Sequence, residues 1–344
     1  MIDTFDTLYF FIIDVLQPNV QQSLHYGGTM KRTNFILIAT TILAYSSVLN
    51  AGDLPTYQFL LNDVSARASA MAGSYVSMQN DPAGIFYNPA TIGTSLSPVA
   101  SMGYTSNIMD IKAGFAAYTQ EIQNLGIIGI GINYVNYGSF VGRDDQGIET
   151  GSFNAGDMAL SLSLANLFEE NLYYGVTGKY IYSSIADANS SALAMDLGVM
   201  YLIPGDDPIS IGASVANIGT QLDEYGTTTE KLPLEIKVGG TIKPQHLPLQ
   251  LSVNFHKLNE ERNTFLDKFT AFTVGGEFTL SKALRFRFGY NNERRKELKI
   301  GTSAGMAGFS LGGGLVLKNL RLDYSFNSFG EIGNISRITI GLDV

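Results

Sequence analysis

From Pro98 to the last residue the chain repeats one pattern, in which large apolar residues alternate with small or polar ones. In residues 128–137 isoleucine and tyrosine alternate with glycine, asparagine and valine, and in residues 158–165 leucine alternates with serine. A period of two places successive side chains on opposite faces of a β-strand, so each stretch predicts a strand with two unlike faces. Further stretches of this kind are 172–182, 193–202, 209–215, 249–255, 272–278, 284–290, 309–316, 320–326 and 335–344.

The two faces of these predicted strands indicate different surroundings. Charged residues make up only 15% of the chain, whereas soluble domains average about 25%, and they are sparse inside the alternating stretches. A soluble β-sandwich or propeller is the alternative, and it should carry strong charge on its outer face. The large apolar face is therefore predicted to contact lipid, while the small face lines a narrow lumen.

Residues 98–344 are accordingly predicted to form one antiparallel transmembrane β-barrel. Counting the stretches gives about 12 to 16 strands, and because bacterial barrels close with even numbers we expect about 14. Residues 138–156 are rich in glycine and charge and are predicted to be a long loop. No stretch after residue 51 has the run of about 18 apolar residues that a transmembrane helix needs.

Two segments are predicted to precede the mature protein. Lys31 and Arg32 form a positive start, residues 35–43 are apolar, and small residues continue up to Ala51. This order is typical of a secretory signal peptide, predicted over residues 30–51, with a buried core helix as the alternative. Residues 1–29 fit poorly with the rest of the chain and are predicted to be an upstream extension from a mis-assigned start. A barrel that is exported from the cytoplasm is expected in an outer membrane.

Residues 52–97 lack the two-residue period and are predicted to form an N-terminal hatch inside the barrel. Residues 66–73 are mostly alanine, glycine and methionine, whose small or flexible side chains allow close packing against other backbone. Asp81-Pro82 and Asn88-Pro89 each place a capping side chain before a proline, the pattern of a short helix at its first turn. Short helices and tight turns of small residues suit a plug in a narrow lumen.

Several motifs resemble the PorV/PorQ family of outer-membrane barrels, which is related to the FadL fatty-acid transporter group. The resemblance begins in residues 66–73 and 81–90 and continues through 136–140, 178–183, 194–198, 217–222, 232–234, 289–291 and 321–326. Residues 135–140 and 294–299 are most similar to PorQ-like members. The positions that match the hatch motif are Arg67, Met71, Gly73, Asp81, Asn88, Pro89 and Ala90.

The resemblance implies a FadL-like barrel with a small helical hatch in the outer membrane of a Gram-negative-type cell. It implies a non-catalytic component or accessory of type IX protein secretion, with outer-membrane lipid and other secretion-system proteins or cargo as partners. The alternative is a FadL-like transporter that moves hydrophobic small molecules across the outer membrane. The tripeptide Asn88-Pro89-Ala90 matches the hatch of the FadL group and is compatible with both functions.

The sequence gives little support for catalysis or for a cofactor. Residues 301–305 match the G-x-S-x-G pattern of α/β-hydrolases, but those enzymes place their histidine after the serine, and His256 is the last histidine of this chain. The glycines at 312–314 lack the lysine and serine or threonine of a phosphate-binding loop. We therefore predict no enzyme activity and no cofactor.

Metal and nucleic-acid binding are also disfavoured. The chain has no cysteine and only three histidines, which weakens the case for a transition-metal site. Asp144, Asp145 and Glu149 lack the spacing of a calcium-binding EF-hand loop. A formal net charge of -9 argues against nucleic acid, which requires a basic face.

A basic cluster interrupts this acidic chain near its C-terminal end. Its members are Arg285, Arg287, Arg294, Arg295, Lys296 and Lys299. One interpretation is a wet lumen face that leads into a charged loop. The other is a contact with lipid phosphate, lipopolysaccharide or a carboxylate partner, for which the candidates are Arg294, Arg295, Lys296 and Lys299.

Overall fold

A computed structural model describes residues 55–95, 97–226, 229–299 and 304–344. In these residues fourteen strands form one closed sheet, in which each strand pairs antiparallel with its neighbours in the chain and β14 pairs with β1. The predicted closed antiparallel barrel of about 14 strands is confirmed. The predicted signal peptide and the extension before it lie outside the described residues.

The strands are β1 (Val99–Ser106), β2 (Lys112–Ile122), β3 (Gly126–Arg143), β4 (Glu149–Glu169), β5 (Leu172–Ile185), β6 (Ala188–Ile203), β7 (Ile209–Asp223), β8 (Glu235–Ile242), β9 (Leu249–Phe255), β10 (Phe272–Thr279), β11 (Leu284–Asn291), β12 (Phe309–Leu317), β13 (Leu320–Ser328) and β14 (Asn334–Asp343). Two short α-helices accompany them, α1 (Ala66–Ala70) and α2 (Asn292–Glu297). Short 3-10 turns cover Gln58–Leu61, Pro82–Phe86, Pro89–Thr94, Ile108–Asp110, Leu266–Thr270 and Gly330–Ile332. None of the helices in the described residues is long and apolar enough to span a bilayer.

The longest connections between strands lie at one end of the barrel. Residues 170–171 and 318–319 form tight turns at the end where β1 begins, whereas residues 256–271 and 292–308 form long connections at the other end. Outer-membrane barrels have short periplasmic turns and longer extracellular loops. We therefore call the first the periplasmic end and the second the extracellular end.

The barrel wall is uneven in height. β3 and β4 contain 18 and 21 residues, whereas β8 to β11 contain only 7 or 8 each. Residues 138–156 are therefore mostly strand, and the prediction of a long loop there was wrong. The β3–β4 ladder continues past a bulge at Tyr137, where Phe140 and Phe153 stack with ring centroids 5.5 Å apart and support the paired strands.

The alternating residues divide between the two faces of the wall as predicted. Ile130 and Leu162 are paired in register and exposed on the outside, while Ser161 and Ser163, their neighbours on the small face, are buried in the lumen. The exposed apolar residues include Met102, Tyr134, Leu160, Leu193, Tyr201, Ile211, Phe286, Leu311, Tyr324 and Ile340. A continuous apolar surface of this size is unfavourable in water and is the lipid-facing band of a transmembrane barrel.

The lumen is filled by residues 55–95, which we call the hatch. Its caps are those expected from the sequence: Asp81 Oδ1 accepts a hydrogen bond from Ala83 N at 3.0 Å, and Asn88 Oδ1 accepts one from Ala90 N at 3.1 Å. Ala66, Ala68 and most of the other hatch residues are fully buried. Because the hatch forms no ladder with the wall, its contacts with the barrel are made by side chains and by close backbone approach.

Lumenal glycines in the wall make this close approach possible. A Cβ atom at Gly175 of β5 would collide with the backbone of Pro89 and Ala90, and one at Gly198 of β6 would collide with Asn88 Oδ1. In contrast, a Cβ at Gly178 of β5 would meet no atom within 4 Å. The Asn88-Pro89-Ala90 turn is therefore seated directly on the strands.

Replacing Gly175 by alanine should unseat this turn, because overpacking a tightly packed contact costs about 1 to 3 kcal/mol. We expect Gly175→Ala to lower the midpoint of the heat-dependent shift of the folded barrel in electrophoresis. Gly178→Ala is the matched control in the same strand and should leave the midpoint unchanged. Equal midpoints for the two variants would contradict the close contact.

Candidate functional site

A chain of buried ion pairs joins the hatch to the wall in the periplasmic half of the lumen. It comprises Arg67 and Asp81 of the hatch with Glu277, Arg287, Arg321 and Asp323 of the wall. Three guanidinium groups thus face three carboxylates, so the network is neutral as a whole. Buried charges are tolerated where each has an opposite partner, as every member of this network has.

Glu277 of β10 is at the centre of this ion network. Its Oε2 atom lies 3.0 Å from Arg67 Nε and 2.6 Å from Arg287 Nε. Arg287 is only 1% exposed and reaches Asp323 Oδ1 at 2.7 Å. On the hatch side, Asp81 Oδ2 accepts from Tyr75 Oη at 2.6 Å. Glu277 was not among the residues predicted from the sequence, although it is a charged residue at a position of the small face.

The other predicted hatch positions also contact the wall. Met71 lies so close to Gly275 and Gly289 of the wall that a Cβ atom on either glycine would collide with it. Gly73 adopts a left-handed φ of 78°, which favours glycine. Asn88 Nδ2 donates to Val76 O at 2.7 Å and to Val199 O of β6 at 3.1 Å. These positions therefore hold the hatch in place.

A polar cavity opens below the ion network at the periplasmic end. Its volume is about 480 Å³, and Arg67, Glu277, Arg287 and Arg321 form part of its lining. Lys243 and Lys318 also line it. The space is large enough for a small molecule, but its walls are charged rather than apolar.

The extracellular half of the lumen contains an apolar cluster that we call the upper chamber. It comprises Tyr57, Phe59, Val135, Ala159, Ile181, Ala192, Ala194 and Leu232. Tyr57 and Phe59 come from the hatch, and Leu232 comes from the connection between β7 and β8. These side chains pack against one another, so the upper chamber is a packed apolar cluster of hatch, wall and connection residues and not an open cavity.

Beside this chamber, the β-ladder between β7 and β8 covers only part of β7. Their ladder runs from Ile209↔Ile242 to Ala216↔Glu235, while β7 itself continues to Asp223. Within the described residues, the part of β7 beyond Ala216 has no ladder partner on the β8 side. Residues 229–234 cover this opening, and we call the arrangement the seam.

Side chains close the seam in place of a ladder. Gln221 Oε1 accepts from Glu230 N at 2.6 Å, and Asn217 Nδ2 donates to Pro233 O at 2.9 Å. Asn217 has a left-handed φ of 63° at a bulge, where its amide N donates to Asp196 Oδ1 at 2.8 Å. Lys179 of β5 completes this group, with Nζ 2.6 Å from Asp196 Oδ2.

The structure separates the four basic residues that were predicted to contact a partner, which lie on α2 or just after it. Arg294 points inward, with its guanidinium 4.4 Å from the centre of the Phe329 ring and 4.0 Å from Asp63 Oδ2. Burial lowers the pKa of Arg294, and attraction to Asp63 opposes this shift. Arg295 donates to Gly305 O at 3.1 Å. The other two candidates for partner contact, Lys296 and Lys299, are exposed.

The described residues include only part of the sequence on which the predictions about catalysis and metals depend. Residues 301–303 of the G-x-S-x-G pattern lie outside the described residues. Over the parts of the chain that are described, no three histidine, aspartate or glutamate side chains come together as a metal site would require.

Comparison with known proteins supports the fold at very low sequence identity. No protein-family model matches the chain, and no curated protein matches its sequence. Among solved structures, the toluene transporter TodX of Pseudomonas putida has a TM-score of 0.53 at 12% identity over 85% of this chain and 98% of its own. A FadL homologue of Pseudomonas aeruginosa has a TM-score of 0.50 at 10% identity, covering 81% of this chain and 98% of its own. The CymD monoaromatic hydrocarbon channel has a TM-score of 0.51 at 10% identity, covering 81% and 96%.

A closed barrel with a lipid-facing exterior and a hatch in its lumen defines the class of the protein as an outer-membrane β-barrel. Within that class, the chain has the FadL-like fold. This agrees with the predicted location in a Gram-negative-type outer membrane. The finer resemblance to the PorV/PorQ family has no counterpart among these comparisons and stays a prediction.

The ion network should be essential for keeping the hatch in place. Glu277→Gln would leave Arg67 and Arg287 without their shared carboxylate, and breaking a buried pair costs about 3 to 5 kcal/mol. Glu149→Gln is the control, because the Arg143–Glu149 pair is 55% and 64% exposed, and such pairs contribute no more than about 1 kcal/mol. Urea unfolding in detergent should separate the two variants clearly, and equal midpoints would contradict the assigned role.

Proposed function

We propose that the protein passes small hydrophobic molecules across the outer membrane through the seam and the upper chamber. The observation that carries this proposal is the apolar chamber behind a stretch of wall that lacks a β-ladder. A hydrophobic solute partitions into lipid, so a lateral entrance from the bilayer spares it from crossing water. Leu232 belongs to the segment that covers the seam and also to the chamber, which makes it the natural gate.

The present conformation is the closed one. Tyr57 and Phe59 occupy the chamber, so a solute of similar size has to displace them or replace their contacts. An apolar solute would keep the apolar contacts of the cluster, whereas displacing Tyr57 would also break the hydrogen bond between its hydroxyl and Ser190 Oγ. Residues 229–234 are held to β7 by hydrogen bonds from single side chains, which open more readily than a continuous ladder.

The periplasmic half offers an exit only if the hatch moves. The cavity of about 480 Å³ already reaches the ion network from below. Because that network is neutral and joins hatch to wall, a shift of Arg67 and Asp81 relative to Glu277 and Arg321 would connect the two halves of the lumen. The toluene transporter TodX and the CymD monoaromatic hydrocarbon channel share the fold, which supports a small apolar solute as the substrate class.

Locking the seam should abolish transport without unfolding the barrel. The natural chain has no cysteine, so Gln221→Cys/Glu230→Cys introduces the only thiols. When a short thiol cross-linker joins them, labelled toluene uptake by cells that express the protein should fall to the level of cells without it. The same variant before cross-linking should retain uptake.

A second cysteine pair controls for the loss of flexibility that any cross-link in the barrel wall would cause. Ile185→Cys/Ala188→Cys joins register partners in the intact β5–β6 ladder. Cross-linking this pair should leave toluene uptake unchanged. Uptake that survives the seam lock, or that is absent from the natural chain, would overturn the transport proposal.

The second candidate is a scaffold of type IX secretion that binds partner or cargo proteins. The filled lumen favours it, together with an extracellular rim where Met109, Met306 and Ile332 are exposed. Lys296 and Lys299 also remain available for an acidic partner or lipid phosphate. Deletion of the gene with loss of export of surface proteins, and co-purification of secretion components from detergent-solubilised outer membranes, would favour this candidate over transport.

A further inference from the structure

The connection between β9 and β10, residues 256–271, exposes large apolar side chains at the extracellular end. Phe265 and Leu266 are 71% and 74% exposed. They stand at the start of the 3-10 turn Leu266–Thr270, so both project from an ordered segment. Exposed apolar side chains mark an interaction surface when they are contiguous with a larger apolar patch.

The lipid-facing band of the barrel continues directly into this connection. Phe255 is the last residue of β9 and is paired with Phe272 of β10 and Val238 of β8. Phe269 packs edge-on against Phe255 at 5.3 Å and against Phe265 at 5.4 Å between ring centroids. An unbroken column of aromatic rings therefore leads from the barrel wall to Phe265.

The aromatic column stands above the part of the wall that has the shortest strands. A strand needs about 9 to 11 residues to span the apolar part of a bilayer at the usual tilt. β8, β9, β10 and β11 have 8, 7, 8 and 8 residues. On this side the strands are shorter than that length, and the connection above them carries Phe265, Leu266 and Phe269.

The opposite side of the connection is polar and fixed to the barrel. Glu293 of α2 accepts from Lys257 Nζ at 3.0 Å and from Arg262 Nη2 at 3.0 Å, and its Oε2 lies 3.1 Å from His256 Nε2. Burial opposes ionisation of Glu293, but hydrogen bonds from His256 and Lys257 lower its pKa to about 2. The carboxylate thus holds one face of the connection against α2 while the aromatic face points away.

We propose that Phe265, Leu266 and Phe269 insert among the acyl chains of the outer leaflet, so that the β9–β10 connection is a lipid-binding surface rather than a free extracellular loop. It lies beside the seam, because Asn259 bonds both Ile236 N and Leu234 O. Lipid contact here does not depend on the proposed transport. It concerns where the connection lies in the membrane, whatever passes through the lumen.

The experiment uses the absence of tryptophan from the natural chain. Phe265→Trp in the full chain, folded into phosphatidylcholine vesicles, carries the only indole. We expect its fluorescence to be quenched by phosphatidylcholine brominated on the acyl chains and to resist quenching by iodide in the buffer.

Two single-tryptophan variants calibrate the result. Leu162→Trp lies on the lipid-facing band and should be quenched by brominated lipid, while Ile148→Trp lies at the exposed tip of the tall β3–β4 hairpin and should be quenched by iodide. Leu266→Trp repeats the test should Phe265→Trp fail to fold. If the tested variant behaves like Ile148→Trp instead of Leu162→Trp, the connection lies in water and the proposal is wrong.

Discussion

The backbone of a chain in lipid has no water to hydrogen-bond, and this constraint shapes the whole molecule. Closing β14 onto β1 gives nearly every strand backbone hydrogen-bond partners on both sides, since an open edge would leave a row of unpaired N–H and C=O groups. The seam, where the ladder between β7 and β8 stops early, is therefore informative. There the upper part of β7 is covered by residues 229–234, and the Lys179, Asp196 and Asn217 group supports the bulge. The backbone of this stretch of wall is covered by protein instead of a ladder partner.

The second constraint is the narrow lumen. Serine, glycine and alanine on the small face leave room for a hatch that approaches the wall at van der Waals distance, most closely at Gly175 and Gly198. Contacts of this kind fix position but contribute little directional specificity, which the ion network around Glu277 supplies. The two halves of the lumen then differ in chemistry, with an apolar chamber above and a charged cavity below. A solute that moves between them must cross the neutral ion network.

Unequal strand lengths connect the wall to its loops. The tall β3–β4 hairpin rises past the bilayer, whereas the wall from β8 to β11 is low and is topped by an aromatic connection and α2. The seam lies at the step between the tall and low parts of the wall. In the proposed transport, a solute would enter from the membrane at this step, with the apolar upper chamber behind it.

The sequence by itself determined the closed barrel, its approximate strand number, the large outer and small inner faces, and the caps at Asp81 and Asn88. All of these depend on local patterns, a period of two or a side chain one residue before proline, which one stretch of chain contains in full. Only the tertiary structure decided that Arg67 meets Glu277, 210 residues away in the chain, that the β7–β8 ladder stops at Ala216, and that residues 138–156 pair as strand. These features depend on strand register and on contacts between distant segments. The interactions that stabilise them form only when the barrel has closed around its hatch.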